Sequence, residues 1–213
     1  MLDLAFTDEQ EMLREVVRSV LAEHAPLTVV RAMEDDPVGF PPDLWKQLGA
    51  LDLLGLMLPE AHGGSGMTLL EGVVLYEEMG RALAPTPHFV SCVAGGTALA
   101  AGGTEAQRAE WLPRVASGEA ILTPAWIEPE GGFGPRGVRA RAVSDDGGAT
   151  FSITGVKRHA AFAAAATRLI VLARTGEGVA DIDLFLVDPT AAGVTLTQQL
   201  TVASDTQYRV DLD

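Results

Sequence analysis

The chain has 213 residues, 47% of them hydrophobic and 21% charged, which is the balance of a folded protein long enough for one large or two small domains. A formal net charge of −14 argues against nucleic acid or an anionic membrane surface as partners, because both call for a basic face. A local basic patch or a helix N-terminus can still hold an anionic coenzyme.

The first half reads as helices. The N-terminus MLDLAFTDEQ is acidic and lacks the basic region and apolar core of a secretory signal. Thr7-Asp8-Glu9-Gln10 is a capping-box pattern, and behind it Met12, Leu13, Val16, Val17, Val20 and Leu21 recur on one face until Pro26 closes the segment. Pro41 and Pro42 open a short helix with Leu44, Trp45 and Leu48. Pro59 with Gly63, Gly64 and Gly66 marks a tight turn, in which His62 reads as a capping residue and not a metal ligand. Thr68-Leu69-Leu70-Glu71 is a second capping box, with Leu70, Val73, Val74 and Glu77 on neighbouring faces of its helix. His88, Phe89 and Ser91 begin another helix, and Thr104-Glu105-Ala106-Gln107 caps a last one carrying Trp111 and Leu112. Cys92 is the single cysteine, so no internal disulfide forms, which suits a reducing cytoplasm; between Val90 and Val93 it reads as a small buried residue.

After Gly118 the pattern turns to strands. Val138 to Val143 alternates arginines with small apolar residues, Asp145-Asp146-Gly147-Gly148 is a turn, and Phe151 and Ile153 alternate with Ser152 and Thr154 as in a hairpin. Leu169 to Ala173 and Leu184 to Val187 read as buried strands, and VTLTQQLTV and QYRVDLD add two alternating segments. The run AAFAAAA from Ala160 to Ala166 is open between a short helix and a packed connection. The expected architecture is an all-α domain over residues 1–118 followed by an antiparallel β-barrel or sandwich over 119–213. No apolar run is long enough to cross a bilayer, and the protein is expected to be cytoplasmic.

The segment from Leu44 to Pro85, LWKQLGALDLLGLMLPEAHGGSGMTLLEGVVLYEEMGRALAP, resembles the N-terminal domain of the acyl-CoA dehydrogenases, flavoenzymes that desaturate acyl-CoA thioesters between the α and β carbons. LAFTDEQEMLREVVRSVLAEH, GGTEAQRAEWLPRVASGEA, IEPEGG, FSITGVKRHA and TRLIVLART follow the family in the same order, so the resemblance runs from Leu4 to Leu212. It implies FAD as cofactor, an acyl-CoA substrate, an electron-transfer flavoprotein or similar acceptor, and a homo- or hetero-oligomer, dimer or tetramer. The family continues into a further helical domain that carries the catalytic base. No catalytic residue is therefore assigned within these residues, and the chain alone is expected to be inactive.

Two stretches meet the flavin in the family, because donors must face the ring as negative charge accumulates on it. The first usually reads Thr, Glu-Pro, then Gly-Ser-Asp; here Glu128 and Pro129 match, while Ile127 and Phe133 replace the Thr and the Ser. The second usually reads Gly-x-Lys and then Trp-Ile-Thr; here Gly155 and Lys157 match, and His159, Ala160 and Ala161 replace the rest. The resemblance accordingly places Pro124, Trp126, Ile127, Phe133, His159, Ala160 and Ala161 at the cofactor, and His88, Phe89 and Phe133 on the substrate side. It assigns Glu128 to ordering the backbone, not to proton abstraction.

Plainer alternatives stand beside these roles. Trp126 reads equally as a core residue, Phe133 as packing and His159 as a partly exposed side chain. Arg136, Arg139 and Arg141 form the one basic cluster, either holding a CoA or flavin phosphate or forming a solvated strand face. The four histidines lie far apart with no Cys or carboxylate at ligand spacing, so no metal site is expected. Three functions remain open: a flavin-dependent acyl-CoA dehydrogenase of fatty, branched or steroid-derived thioesters, a non-catalytic accessory subunit of a hetero-oligomeric one, and a thioester-binding module without redox chemistry.

Overall fold

A computed structural model describes residues 5–132 and 134–213. The chain divides into two compact units, one ending at Glu119 and the other beginning at Ala120.

The first unit is helical: α1 (Asp8–His24), α2 (Leu27–Ala32), α3 (Pro42–Ala50), α4 (Leu69–Ala82), α5 (Gly96–Gly102) and α6 (Glu105–Ala116), with a π-helical turn over Phe89–Gly95. All three capping boxes form, with Thr7, Thr68 and Thr104 accepting from free backbone amides while Gln10, Glu71 and Gln107 reach back to the cap N–H. Two of them also bind each other, since Gln10 Nε2 donates to Glu71 Oε1 at 2.9 Å. Together with the backbone and hydroxyl donors of its own cap, this holds the Glu71 carboxyl at about 2. Two helical turns further on, Arg18 forks onto buried Glu78 at 3.0 and 2.7 Å, and Arg14 reaches Glu77 at 3.3 Å between them, so α1 and α4 are fastened three times.

The apolar faces differ from the expected ones. Val17 and Leu21 are buried on α1, but Met12 is 66% exposed and Val16 faces solvent. On α4 the core takes Val74, Leu75 and Met79, while Leu70 and Val73 stay exposed. Val16 and Val17, or Val73 and Val74, lie 100° apart around a helix, so only one of each pair can centre on the core, and hydropathy does not say which. Pro26 closes α1 and also caps α2, which the sequence pattern did not separate. In the turn before α4, a Cβ on Gly64 would lie 2.1 Å from the Leu58 carbonyl oxygen, so only glycine fits there.

The second unit is a seven-stranded sheet: β1 (Leu122–Ala125), β2 (Arg141–Val143), β3 (Ser152–Ala161), β4 (Arg168–Arg174), β5 (Ile182–Val187), β6 (Val194–Gln199) and β7 (Gln207–Leu212). The order is β1-β4-β2-β3-β7-β6, with β5 on the other edge of β4. The sheet is mixed and forms an open half-barrel, where a wholly antiparallel one was expected. β2 and β3 reverse direction once, and the turn after β3 reverses it again. β4 therefore returns parallel to β1 and to the end of β2, while β5 and β7 close antiparallel hairpins. The core is built largely of alanines: Ala125, Ala160, Ala163 and Ala166 pack with Leu169, Val171, Tyr208, Val210 and Leu212. The alanine run resolves into the end of β3, Phe162 in the left-handed region at φ 56°, and a 3-10 turn over Ala163–Ala165.

Candidate functional site

The flavin-type loop begins where β1 leaves the sheet. β1 pairs in parallel with β4, Pro124 opposite Ile170, and beyond it the Ile127 carbonyl accepts from the Arg158 N–H on β3 at 2.8 Å. Glu128 then turns inward and is 7% exposed. Its Oε2 accepts from the Arg139 N–H at 2.9 Å, and its Oε1 accepts from the Ala140 N–H at 3.1 Å and from Lys157 Nζ at 2.6 Å. One carboxylate thus closes the 129–138 loop at its base and ties that base to β3. Burial holds the fully enclosed Lys157 ammonium below the ordinary lysine range, with Glu128 pulling the other way.

Lys157 reaches that carboxylate because β3 bulges. Lys157 pairs with Val210 and Ala160 with Tyr208, so three steps on β3 face two on β7. The extra residue lets both Lys157 and Ala160 turn to the core. His159 absorbs the bend at φ 56°, a left-handed conformation that costs a non-glycine residue energy and persists where its surroundings hold it. Here they do: Gln199 Oε1 accepts from the His159 N–H at 3.1 Å, and Gln207 Oε1 lies 2.8 Å from Nδ1. The glutamine oxygen can only accept, so Nδ1 is the donor in this contact.

The structure therefore brings Trp126, Ile127, Arg158 and His159 together where the chain beyond β1 bridges to β3. Trp126 and Ile127 are each 38% exposed, so Trp126 is not a core residue. His159 is exposed and Ala161 half-buried. Ala160 is different: its side chain is sealed in the core and its backbone pairs with Tyr208, so it offers a ligand nothing directly. Pro124, half-buried in β1, supports the loop without standing in it. Phe133 lies outside the described residues. Beside Ile127, Arg158 Nε is buried without a hydrogen-bond partner, and so is Thr123 Oγ1 on β1. An apolar, half-open surface edged by an unused cationic donor fits a flavin, whose flat ring has a polar rim that gains negative charge on reduction. The hydroxyls usual at Ile127 and Ala161 are absent, so that rim would rely on backbone donors and Arg158.

In the helical unit, His88 is buried with both ring nitrogens engaged. Nε2 lies 3.0 Å from the Leu53 carbonyl, which can only accept, so Nδ1 receives the Tyr76 hydroxyl at 2.6 Å. Burial lowers its pKa to about 4, keeping the ring neutral. Phe89 follows it in the π-helical turn, 58% exposed and edge-on to Tyr76. Of the two residues of this unit expected on the substrate side, Phe89 presents an exposed surface and His88 is buried beneath the same turn. Cys92 in the same turn is buried, and burial pushes its thiol far above the reactive range.

Sequence reasoning picked out Glu128 and Lys157 separately and did not pair them; the available signal was two opposite charges, each beside small or apolar residues. Arg158 and the bulge were also missed, and neither carries a sequence signal of its own.

The family model "Acyl-CoA dehydrogenase, N-terminal domain" matches residues 7–119. A probable acyl-CoA dehydrogenase of Bacillus subtilis is 32% identical over 92% of this chain and 52% of its own. An acyl-CoA dehydrogenase of Mycobacterium tuberculosis, FadE12, is 30% identical over the whole chain and 56% of its own. Among solved structures, the Tcur3481-Tcur3483 steroid acyl-CoA dehydrogenase G363A variant superposes with a TM-score of 0.83 at 34% identity, over 97% of this chain and 55% of that one. The chain thus spans about half the length of the curated relatives it matches.

Proposed function

The chain belongs to the acyl-CoA dehydrogenase family, and we propose that it serves the desaturation of an acyl-CoA thioester between the α and β carbons, its β unit by binding the flavin and its helical unit by binding part of the acyl group. The observation that carries this reading is the Glu128 carboxylate, which holds the family's Glu-Pro loop in one shape by accepting from Arg139, Ala140 and Lys157. FAD, when bound, would take up the β-hydrogen with its electron pair. Trp126 and Ile127 would lie against the ring, Arg158 and the backbone N–H groups of Ile127 and Ala161 would serve its polar rim, and His159 would cover one face. Pro124 and Ala160 would shape the bed from behind. Phe89 would face the acyl chain. Electrons would pass on to an electron-transfer flavoprotein or similar acceptor.

Glu128 does not suit the role of base, since three donors already occupy its carboxylate. Glu130 is exposed and paired with Arg139 at 3.0 Å. These 213 residues by themselves are therefore expected not to turn over acyl-CoA.

A second reading has a specific observation in its favour. Ile127 and Ala161 stand where the family usually has hydroxyls, which suits an accessory subunit that binds flavin weakly beside an active paralogue. A structure similar to this chain bears a two-component name, Tcur3481-Tcur3483. The absorption spectrum of the purified protein tests the flavin, and its bleaching by acyl-CoA tests the reaction. A colourless protein that copurifies with a longer, flavin-bearing relative would move the assignment to the accessory subunit. A colourless protein that binds acyl-CoA alone would leave a thioester-binding module.

A further inference from the structure

Two cations stand side by side on β3, and the fold treats them in opposite ways. Successive residues of a strand point to opposite faces. Lys157 turns inward, where Glu128 Oε1 accepts from its Nζ at 2.6 Å. Arg158 therefore points outward, and because it pairs directly with Ile127, the two side chains share one face. Among the described residues no carboxylate pairs with Arg158 and no hydrogen bond reaches its side chain, although its Nε is buried. Glu128, the next residue after Ile127, does not neutralise it, since Arg139, Ala140 and Lys157 already fill that carboxylate on the other side.

A charged donor with a buried, unsatisfied atom carries a desolvation cost that nothing in the fold offsets. Such a group is explained when a ligand completes it. The surroundings define that ligand: Ile127 on the same face is 38% exposed, and so is Trp126 before it, so an apolar body with an anionic edge fits beside the guanidinium. The side chain of Ile127 donates nothing, which leaves the compensation of that edge to the charge of Arg158.

We propose that Arg158 takes the negative charge that a flavin ring acquires on reduction, and so sets how strongly the β unit prefers reduced over oxidised FAD; this rests on the flavin reading above. A hydride from the β-carbon brings the ring one proton and an electron pair, so FAD becomes FADH−, and the α-proton leaves separately to a base. The added charge spreads over the N1 and C2 carbonyl edge of the ring. A fixed cation at that edge stabilises the reduced form and gains nothing from the neutral oxidised one, and its half-burial weakens the screening by water. Arg158 is on this view a positioning charge that raises the flavin potential, which is a different role from holding the cofactor.

The test compares the full chain with Arg158→Met and Arg158→Lys, each loaded with FAD. Midpoint potentials come from dye-coupled reduction of the bound flavin, affinities from titration with oxidised and with reduced FAD, and folding from melting temperatures without flavin. Arg158→Met should lose about tenfold of the preference for reduced FAD, which lowers a two-electron midpoint by about 30 mV. Arg158→Lys keeps the charge and should stay near the wild-type potential. Without flavin, Arg158→Met should melt no lower than wild type, because no partner is lost. An unchanged potential in Arg158→Met overturns the proposal and leaves the flavin reading standing. Equal weakening of oxidised and reduced FAD in that variant would make Arg158 an ordinary binding residue, and a lower melting temperature at unchanged potential a structural one; either result overturns the proposal. No uptake of FAD by wild type or by Arg158→Lys would reject the flavin reading itself, and this proposal with it.

Discussion

Replacing Lys157 by Met is the sharpest test of the Glu128 loop anchor. The substitution nearly conserves volume and leaves Glu128 with two backbone N–H donors and no counter-charge, at a residue 7% exposed. Removing one partner of a buried pair costs about 3–5 kcal/mol, because the charge left behind has lost its solvent and its neutraliser. Glu128→Gln should cost a similar amount for the converse reason: it strands the ammonium, and wherever the new amide nitrogen lands it meets a donor, either the Arg139 N–H or the Ala140 N–H with Lys157. The double variant removes both charges and should be less destabilised than the sum of the singles by about 1–3 kcal/mol.

The two units need not unfold together, so urea unfolding is best followed by amide exchange in β3 and β7, whose ladder Lys157 joins. A cost below about 1 kcal/mol for Lys157→Met, or single-variant costs that simply add, would refute the anchor, since an exposed ion pair behaves in that way.

Four further outcomes are expected. His88 has a folded pKa of about 4 against an ordinary 6.5, so the unfolded chain binds its proton first; the helical unit should lose stability as pH falls from 6.5 to 4, and a His88→Gln variant followed by thermal melts should lose that slope. Ile127→Thr restores the hydroxyl of the Glu-Pro loop and should slow flavin loss on dialysis; an unchanged rate would show that backbone donors and Arg158 suffice. Limited proteolysis should cut first within residues 130–137 and not at 117–120, because the Gly118 carbonyl accepts from Trp45 Nε1 at 2.9 Å and the Ile121 carbonyl takes two N–H donors; first cleavage at 117–120 would contradict that packing. Thr68→Ala removes the cap that also orders Glu71 and should cost about 1 kcal/mol, read as a lower melting temperature; no shift would mean that the Thr68 cap adds nothing to the stability of α4.

Where the sequence was legible, a local rule set the structure. The capping boxes at Thr7, Thr68 and Thr104 formed because each needs only four residues to agree, and β3 to β7 were visible through alternation or apolar runs between turn residues. What escaped depended on residues far apart in the chain. β1 was unread because Leu122, Thr123 and Ala125 are all buried around a proline, which leaves no alternation to see, and its parallel pairing with β4 is fixed only once the turn after β3 brings the chain back. Met12 was read on the apolar face of α1 and is exposed, because adjacent apolar residues on a helix compete for one core and the winner is chosen by the partner helix.

The site repeats this division. The Glu-Pro and Gly-x-Lys motifs were readable as short strings. Their joint meaning, a carboxylate and an ammonium 29 residues apart meeting under a loop, depends on one surplus residue in β3. That bulge is also what sets His159 into the left-handed region and leaves it beside Trp126 and Ile127. The same irregularity thus builds the buried anchor and the exposed surface. A change that straightens β3, such as deleting His159, would be expected to disturb both at once, whereas His159→Gly should relieve the backbone and leave the Glu128–Lys157 pair in place.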